Sequence, residues 1–209
     1  MLFNENWEIK LEPILESYKG RKHPLDYKNT YQLLIMVILS AQDSDSNINK
    51  LAPTLFEKFP NIESLNKSNI EEFSTYIHNV KNYPTKANWI INIAQILKKD
   101  ENIPTNLKDL ISLKGIGRKS ANVILREIKQ PTEGIIVDLH VIRVSPRIGI
   151  ILPSKDGNKI EKGLMQVLPK EIWSEIGMAI SFLGREICRP TPKCNICPIK
   201  KHCNYYKNN

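Results

Sequence analysis

Along most of this chain apolar residues recur every three or four positions, the spacing of helices that bury one face. Tyr27–Ser40 is apolar nearly all round, which predicts a buried central helix. Ile48, Leu51, Leu55 and Phe59 mark one face of the next, with Pro53 as an expected kink. Ser68-Asn69-Ile70-Glu71 reads as a capping box opening a helix that turns Ile70, Phe73 and Ile77 inward. Thr85 is the expected cap of a helix burying Ile90, Ala94 and Leu97. Leu107, Leu110 and Ile111 predict a short helix. Beyond Gly115 and Gly117, Ala121, Ile124, Leu125 and Ile128 form the inner face of another. The apolar run Gly134–Asp138 is too short for a convincing strand. Asp138 then caps a helix expected to stop before Pro146. Two more helical faces follow, at Ile160, Leu164 and Val167 and at Ile172, Ile176, Ala179 and Leu183. With no β-rich block, the expected fold class is all-α.

Composition narrows the function. In 209 residues, 41% apolar, there is enough to bury a core, which excludes a disordered chain. The longest apolar run, Leu33–Leu39, is too short to cross a bilayer, and the N-terminal residues do not read as a signal peptide. The expected location is therefore the cytoplasm, with no membrane partner. Thirty Lys and Arg against 22 Asp and Glu give +8, an excess that favours polyanions through counterion release. Six basic residues and one Glu lie between Arg185 and Asn209.

Three local patterns carry candidate chemistry. Leu113-Lys114-Gly115-Ile116-Gly117-Arg118-Lys119 joins two amphipathic helices. Its glycines permit a tight turn and close approach of a ligand, and the helix start offers N–H groups to a phosphate. Read alone, it is equally a plain helix–turn–helix connection. Lys119 sits where the helix dipole disfavours protonation. In a partly desolvated cleft it would become a nucleophilic amine; otherwise it is an exposed phosphate-binding lysine. Asp138 emerges from an apolar run, as a helix cap and also as a carboxylate able to stabilise a cationic transition state. His140, nearby, is assigned no catalysis. Finally, all four cysteines, Cys188, Cys194, Cys197 and Cys203, fall in the last 22 residues. Such clustering argues for one metal site over disulfides. Only one Cys-x2-Cys knuckle is present, and ligand type leaves iron–sulfur and zinc both open.

Together these segments resemble the helix-hairpin-helix DNA glycosylases of the endonuclease III type, from about Tyr31 to Tyr206. Leu39-Ser40-Ala41-Gln42 is similar to a family segment whose glutamine fills the space left by a flipped base. Leu113–Lys119 with Ser120-Ala121-Asn122 is similar to the family hairpin, and Val137-Asp138 to the catalytic aspartate position. Gly184–Cys188 resembles the start of the family's cluster loop. The resemblance implies a six-helix barrel over residues 25–133, with the hairpin at about 107–129. A second helical domain would join residues 1–24 to 134–209 and hold a 4Fe–4S cluster on Cys188, Cys194, Cys197 and Cys203. It further implies a monomer that binds double-stranded DNA bearing damaged bases or abasic sites in a cleft between the two lobes. There it would flip out and excise the damaged base, an oxidised pyrimidine above all, with Lys119 as Schiff-base nucleophile and Asp138 assisting, and then cut the abasic strand by β-elimination. Gln42, Lys81, Asn82, Tyr83, Lys114, Gly115, Gly117 and Arg118 would contact the DNA. The alternatives are a monofunctional adenine-mismatch-type glycosylase and a non-catalytic structural hairpin protein.

Several positions depart from the family pattern. Lys114 stands for a usual proline, Leu139 for a threonine, and Pro146 for an asparagine. The first cysteine interval is five residues where six is usual. Val80-Lys81-Asn82-Tyr83 replaces a Gly–Leu wedge, so a polar residue sits where an apolar one usually enters the base stack.

Overall fold

The structure, a computed structural model, describes residues 6–209, and among them there are helices and no strands. No helix of the described residues is long and apolar enough to cross a membrane. The chain divides into two units, residues 22–130 and residues 131–209 with the segment up to Arg21. These divisions fall three residues before the expected ones.

The unit of residues 22–130 is built on α2 (Thr30–Ser40), in which eight of eleven residues are buried. α1 (Trp7–Ser17) belongs to the other unit. Asn29 caps α2 by accepting from Gln32 N, so the helix starts three residues later than its apolar pattern suggested. α3 (Asp45–Lys58), α6 (Tyr83–Leu97) and α8 (Arg118–Glu127) pack on α2. α4 (Ile62–Asn66), α5 (Ile70–Ile77) and α7 (Leu107–Ser112) complete the unit. Two expected caps are corrected. Asn69, and not Ser68, caps α5 by accepting from Glu72 N, while Ser68 Oγ bonds the Glu72 carboxylate. Thr85, expected to cap α6, lies inside its first turn, because Asn82 takes the left-handed turn before Tyr83 and Pro84 fits the first helical turn.

In the other unit α11 (Trp173–Glu186) is central, buried continuously from Ile176 to Gly184 and packed on α1 and α9 (Leu139–Ile148). α10 (Gly157–Val167) and the short α12 (Asn204–Lys207) flank α9. α9 runs through Pro146, where its end was expected. Val144 and Ile148 are buried on either side, and Arg147 in the last turn bonds the carbonyls of Arg189 and Pro190. Those contacts outweigh the one backbone bond that proline removes. The helix stops instead at Gly149, with φ of 101°.

Candidate functional site

The hairpin is shaped by its backbone. After α7, Gly115 turns with φ of +90°, and a Cβ there would stand 2.6 Å from Cε3 of Trp89. Conformation and space both demand glycine. Leu113 and Ile116 are buried and anchor the turn from beneath. Gly117 precedes α8 and supplies no side-chain cap, which suits a helix start that receives an outside acceptor. Lys114, Arg118 and Lys119 are all exposed, so the turn carries three cations beside a helix N-terminus.

A second group of residues lies in the same unit. Gln42 and Asn82 are exposed, each with left-handed backbone (φ of 60° and 58°). Asn82 makes no side-chain cap bond at the start of α6. The loops carrying them are tied together by Asp43, which sequence reasoning passed over. Its Oδ2 accepts from Lys81 N at 2.8 Å, and its Oδ1 from Ser44 N at 2.7 Å and Asn47 Nδ2 at 3.1 Å. Partial burial would raise this carboxyl, but those donors hold it below its usual range. Lys86, 2% exposed, donates to the carbonyls of Leu39 and Ala41 at 2.7 Å each, fixing the chain just before Gln42. Burial pushes its pKa down, against the pull of Asp43. The signal for Lys86 was present: it falls in helical register with Ile90, Ile93 and Leu97 on the buried stripe.

Asp138 does cap α9, its Oδ1 accepting from His140 N and Val141 N at 2.9 Å. Its Oδ2 accepts from Ser181 Oγ at 2.6 Å, and Arg185 Nη2 lies 3.7 Å away. Gly177 and Gly184 let α11 come this close. A Cβ on the first would be 2.4 Å from Ile136 O, and one on the second 2.7 Å from His140 Cβ. Burial, with Arg185 and Arg143 nearby, lowers the His140 pKa despite Asp138. Leu139, between the two, is 78% exposed.

All four cysteines line one small cavity, together with Ile148, Leu183, Ile187, Ile199 and Tyr205. Burial, and then the other cysteines, push the Cys194 and Cys197 thiols up. Among the described residues no three His, Cys, Asp or Glu side chains converge on a single ion position. The loop around the cavity is clamped to α9. Arg143 Nη2 donates to the carbonyls of Gly184 and Cys188 at 2.9 and 3.1 Å. Arg147 Nη1 lies 3.8 Å from Cys188 Sγ, and its carbonyl is 3.5 Å from Cys203 Sγ. Both arginines went unread in the sequence because nothing local marks their distant partners. One helix thus carries Asp138 at its start and the cysteine loop along its end.

Comparison with known proteins identifies the family. Residues 35–170 match the HhH-GPD superfamily of base excision DNA repair proteins. The chain is 40% identical to endonuclease III of Rickettsia prowazekii (strain Madrid E) over 191 residues, 88% of this chain and 87% of the relative. It is 32% identical to endonuclease III of Bacillus subtilis (strain 168), covering 97% and 94% of the two. Among solved structures, a trapped endonuclease III–DNA covalent intermediate matches with a TM-score of 0.86 and 32% identity, over 100% of this chain and 99% of the other. A thermostable thymine-DNA glycosylase shares the fold, with a TM-score of 0.80 at 20% identity. With its family match spanning more than half its length and near full-length relatives above 30% identity, the chain belongs to the HhH-GPD superfamily of base excision DNA repair proteins and, within it, to the endonuclease III family.

Proposed function

We propose that this protein removes damaged bases, oxidised pyrimidines above all, from double-stranded DNA and then cuts the strand at the abasic sugar. What carries the reading is an exposed amine, Lys119, one residue into a helix that starts on an uncapped glycine turn. It occurs in a chain that matches, end to end, an endonuclease III trapped covalently on DNA. In the proposed reaction the hairpin backbone and Lys114 hold a phosphate, and the damaged nucleotide leaves the base stack because its sugar carbon is inaccessible within it. DNA lying over Lys119 dehydrates the amine and favours its neutral form. Lys119 Nζ, as the neutral amine, bonds to C1′ while the bond from C1′ to the base breaks. The base departs with that electron pair and takes up a proton. Sugar ring opening gives an imine on Lys119. Loss of a C2′ proton then expels the 3′ phosphate with its electron pair, and water hydrolyses the imine. Asp138 offsets positive charge developing on the sugar, from a carboxylate already fixed by helix N–H groups and Ser181. Gln42, with the Lys81–Tyr83 loop, fills the space vacated by the base.

Cys188, Cys194, Cys197 and Cys203 would hold a 4Fe–4S cluster. Four cysteine sulfurs lining one pocket supply the donor set of such a cluster, one thiolate per iron. When bound, the cluster supplies a cross-link that fixes the basic loop from Cys188 to Cys203. The protein would act as a monomer on the DNA of a bacterial-type cytoplasm.

Duplexes bearing one lesion each, scored separately for base release and strand cleavage, test the reading. Both products are expected, in step, from an oxidised pyrimidine. Base release without cleavage would make the enzyme monofunctional, and tight binding with neither product would make it a structural DNA-binding protein.

A further inference from the structure

The capping duty of Asp138 uses only one of its two oxygens. Oδ1 receives both helix N–H groups, each at 2.9 Å. Oδ2 receives Ser181 Oγ at 2.6 Å, a bond across 43 residues that the cap does not need. Ser181 is wholly buried in the apolar run from Met178 to Leu183, where a hydroxyl must find an acceptor. In a helix that acceptor is commonly the carbonyl one turn back. Here the proton goes instead to the carboxylate, and the serine oxygen in turn receives Arg185 Nε at 3.4 Å. Arg185 Nη2 stands 3.7 Å from Oδ2, which is ion-pair distance and too long for a good hydrogen bond. Gly177 and Gly184, one turn before and after, remove the side chains that would hold α11 away.

From this geometry we infer that Ser181 is a positioning residue for the reaction: its hydroxyl fixes Oδ2 of Asp138 while Oδ1 caps the helix. The inference rests on the proposed catalytic part of Asp138. Division of labour between the two oxygens follows. The helix holds the carboxylate in place, and Ser181 sets its rotation about the last side-chain bond. Arg185, bonded to the serine oxygen, keeps the hydroxyl pointed at Asp138.

Single-turnover cleavage of an abasic duplex and separate measurement of DNA affinity test it, with wild type, Ser181→Ala, Ser181→Cys and Asp138→Asn. Ser181→Ala should slow cleavage roughly tenfold, the scale of one hydrogen bond to a charged group, with affinity unchanged within about twofold. Ser181→Cys keeps nearly the same volume with a weaker donor and should lie between. It also carries the test if the alanine variant fails to fold. In an Asp138→Asn background, Ser181→Ala should cost less than about twofold more, because the partner it serves has already lost its charge. Wild-type rates in both serine variants, or an undiminished tenfold loss in the Asp138→Asn background, would overturn the inference. Full activity of Asp138→Asn by itself would instead overturn the catalytic reading of the aspartate, and so the two failures are separable.

Discussion

Lys119 and Asp138 are placed by opposite means. Lys119 is exposed and set by its neighbours in sequence: a glycine with positive φ, two buried anchors, an uncapped helix start. Asp138 is half-buried, and beyond its own helix it is fixed by Ser181 and Arg185, far away along the chain. A nucleophile that must reach for a substrate gains from a short, stiff mount and an unobstructed surface. A carboxylate that must hold a charge in one orientation gains from several donors, which only tertiary packing provides. The consequence is that damage to the first should be local, whereas the second should respond to changes on α11.

The largest expected effect is on the nucleophile. Lys119→Ala should retain DNA binding and lose strand cleavage by at least ~10³-fold, since a nucleophile's partners cannot replace it. Rapid abasic-strand cleavage by that variant would remove the contrast altogether. For the carboxylate, Asp138→Asn should cut turnover roughly 10²-fold. The amide oxygen still caps α9, so stability should fall within about 1 kcal/mol, measured by thermal melting. Next comes the backbone of the hairpin. Gly115→Ala meets both a positive φ and the Trp89 ring, and should destabilise the protein by about 1–3 kcal/mol while weakening DNA binding. A neutral Gly115→Ala would show that local backbone is not what mounts Lys119. Smallest is the loop at Asn82. Asn82→Ala should alter relative cleavage opposite the four bases by about 1 kcal/mol, one net hydrogen bond. Identical base preferences in the variant would leave Asn82 with its left-handed turn and nothing more.

The cysteine loop extends the distant kind of support. Anaerobically purified protein should contain four iron and four sulfide per chain, and Cys203→Ser, at a buried position, should lose them together with thermal stability. One zinc per chain would show that the shortened first interval has changed the metal.

What was legible in the sequence follows the same division. The all-helical class came from apolar periodicity, and the hairpin from residues within seven positions of one another. Errors collected at helix ends. Asn69 and Asn82 set the true starts of α5 and α6, yet Ser68 and Thr85 were equally good candidates by residue type. Pro146 was read as a stop, but burial of Val144 and Ile148 and the bonds of Arg147 decide the matter, and none of these is local. Asp138 was legible as a cap. Ser181, Arg143 and Arg147 were not legible as its supporters or as the cysteine loop's clamp, although a lone serine in a buried apolar run was a readable oddity. Lys86 was the opposite case, since its place on the inner stripe of α6 was open to view and was passed over.

The most direct test of the account reduces the enzyme with borohydride during turnover on an oxidised-pyrimidine duplex and locates the DNA adduct by peptide mass spectrometry. One adduct is expected, on Nζ of Lys119, absent from Lys119→Ala and slowed in Asp138→Asn. An adduct on another lysine or on the N-terminal amine, or undiminished trapping in Lys119→Ala, would contradict it.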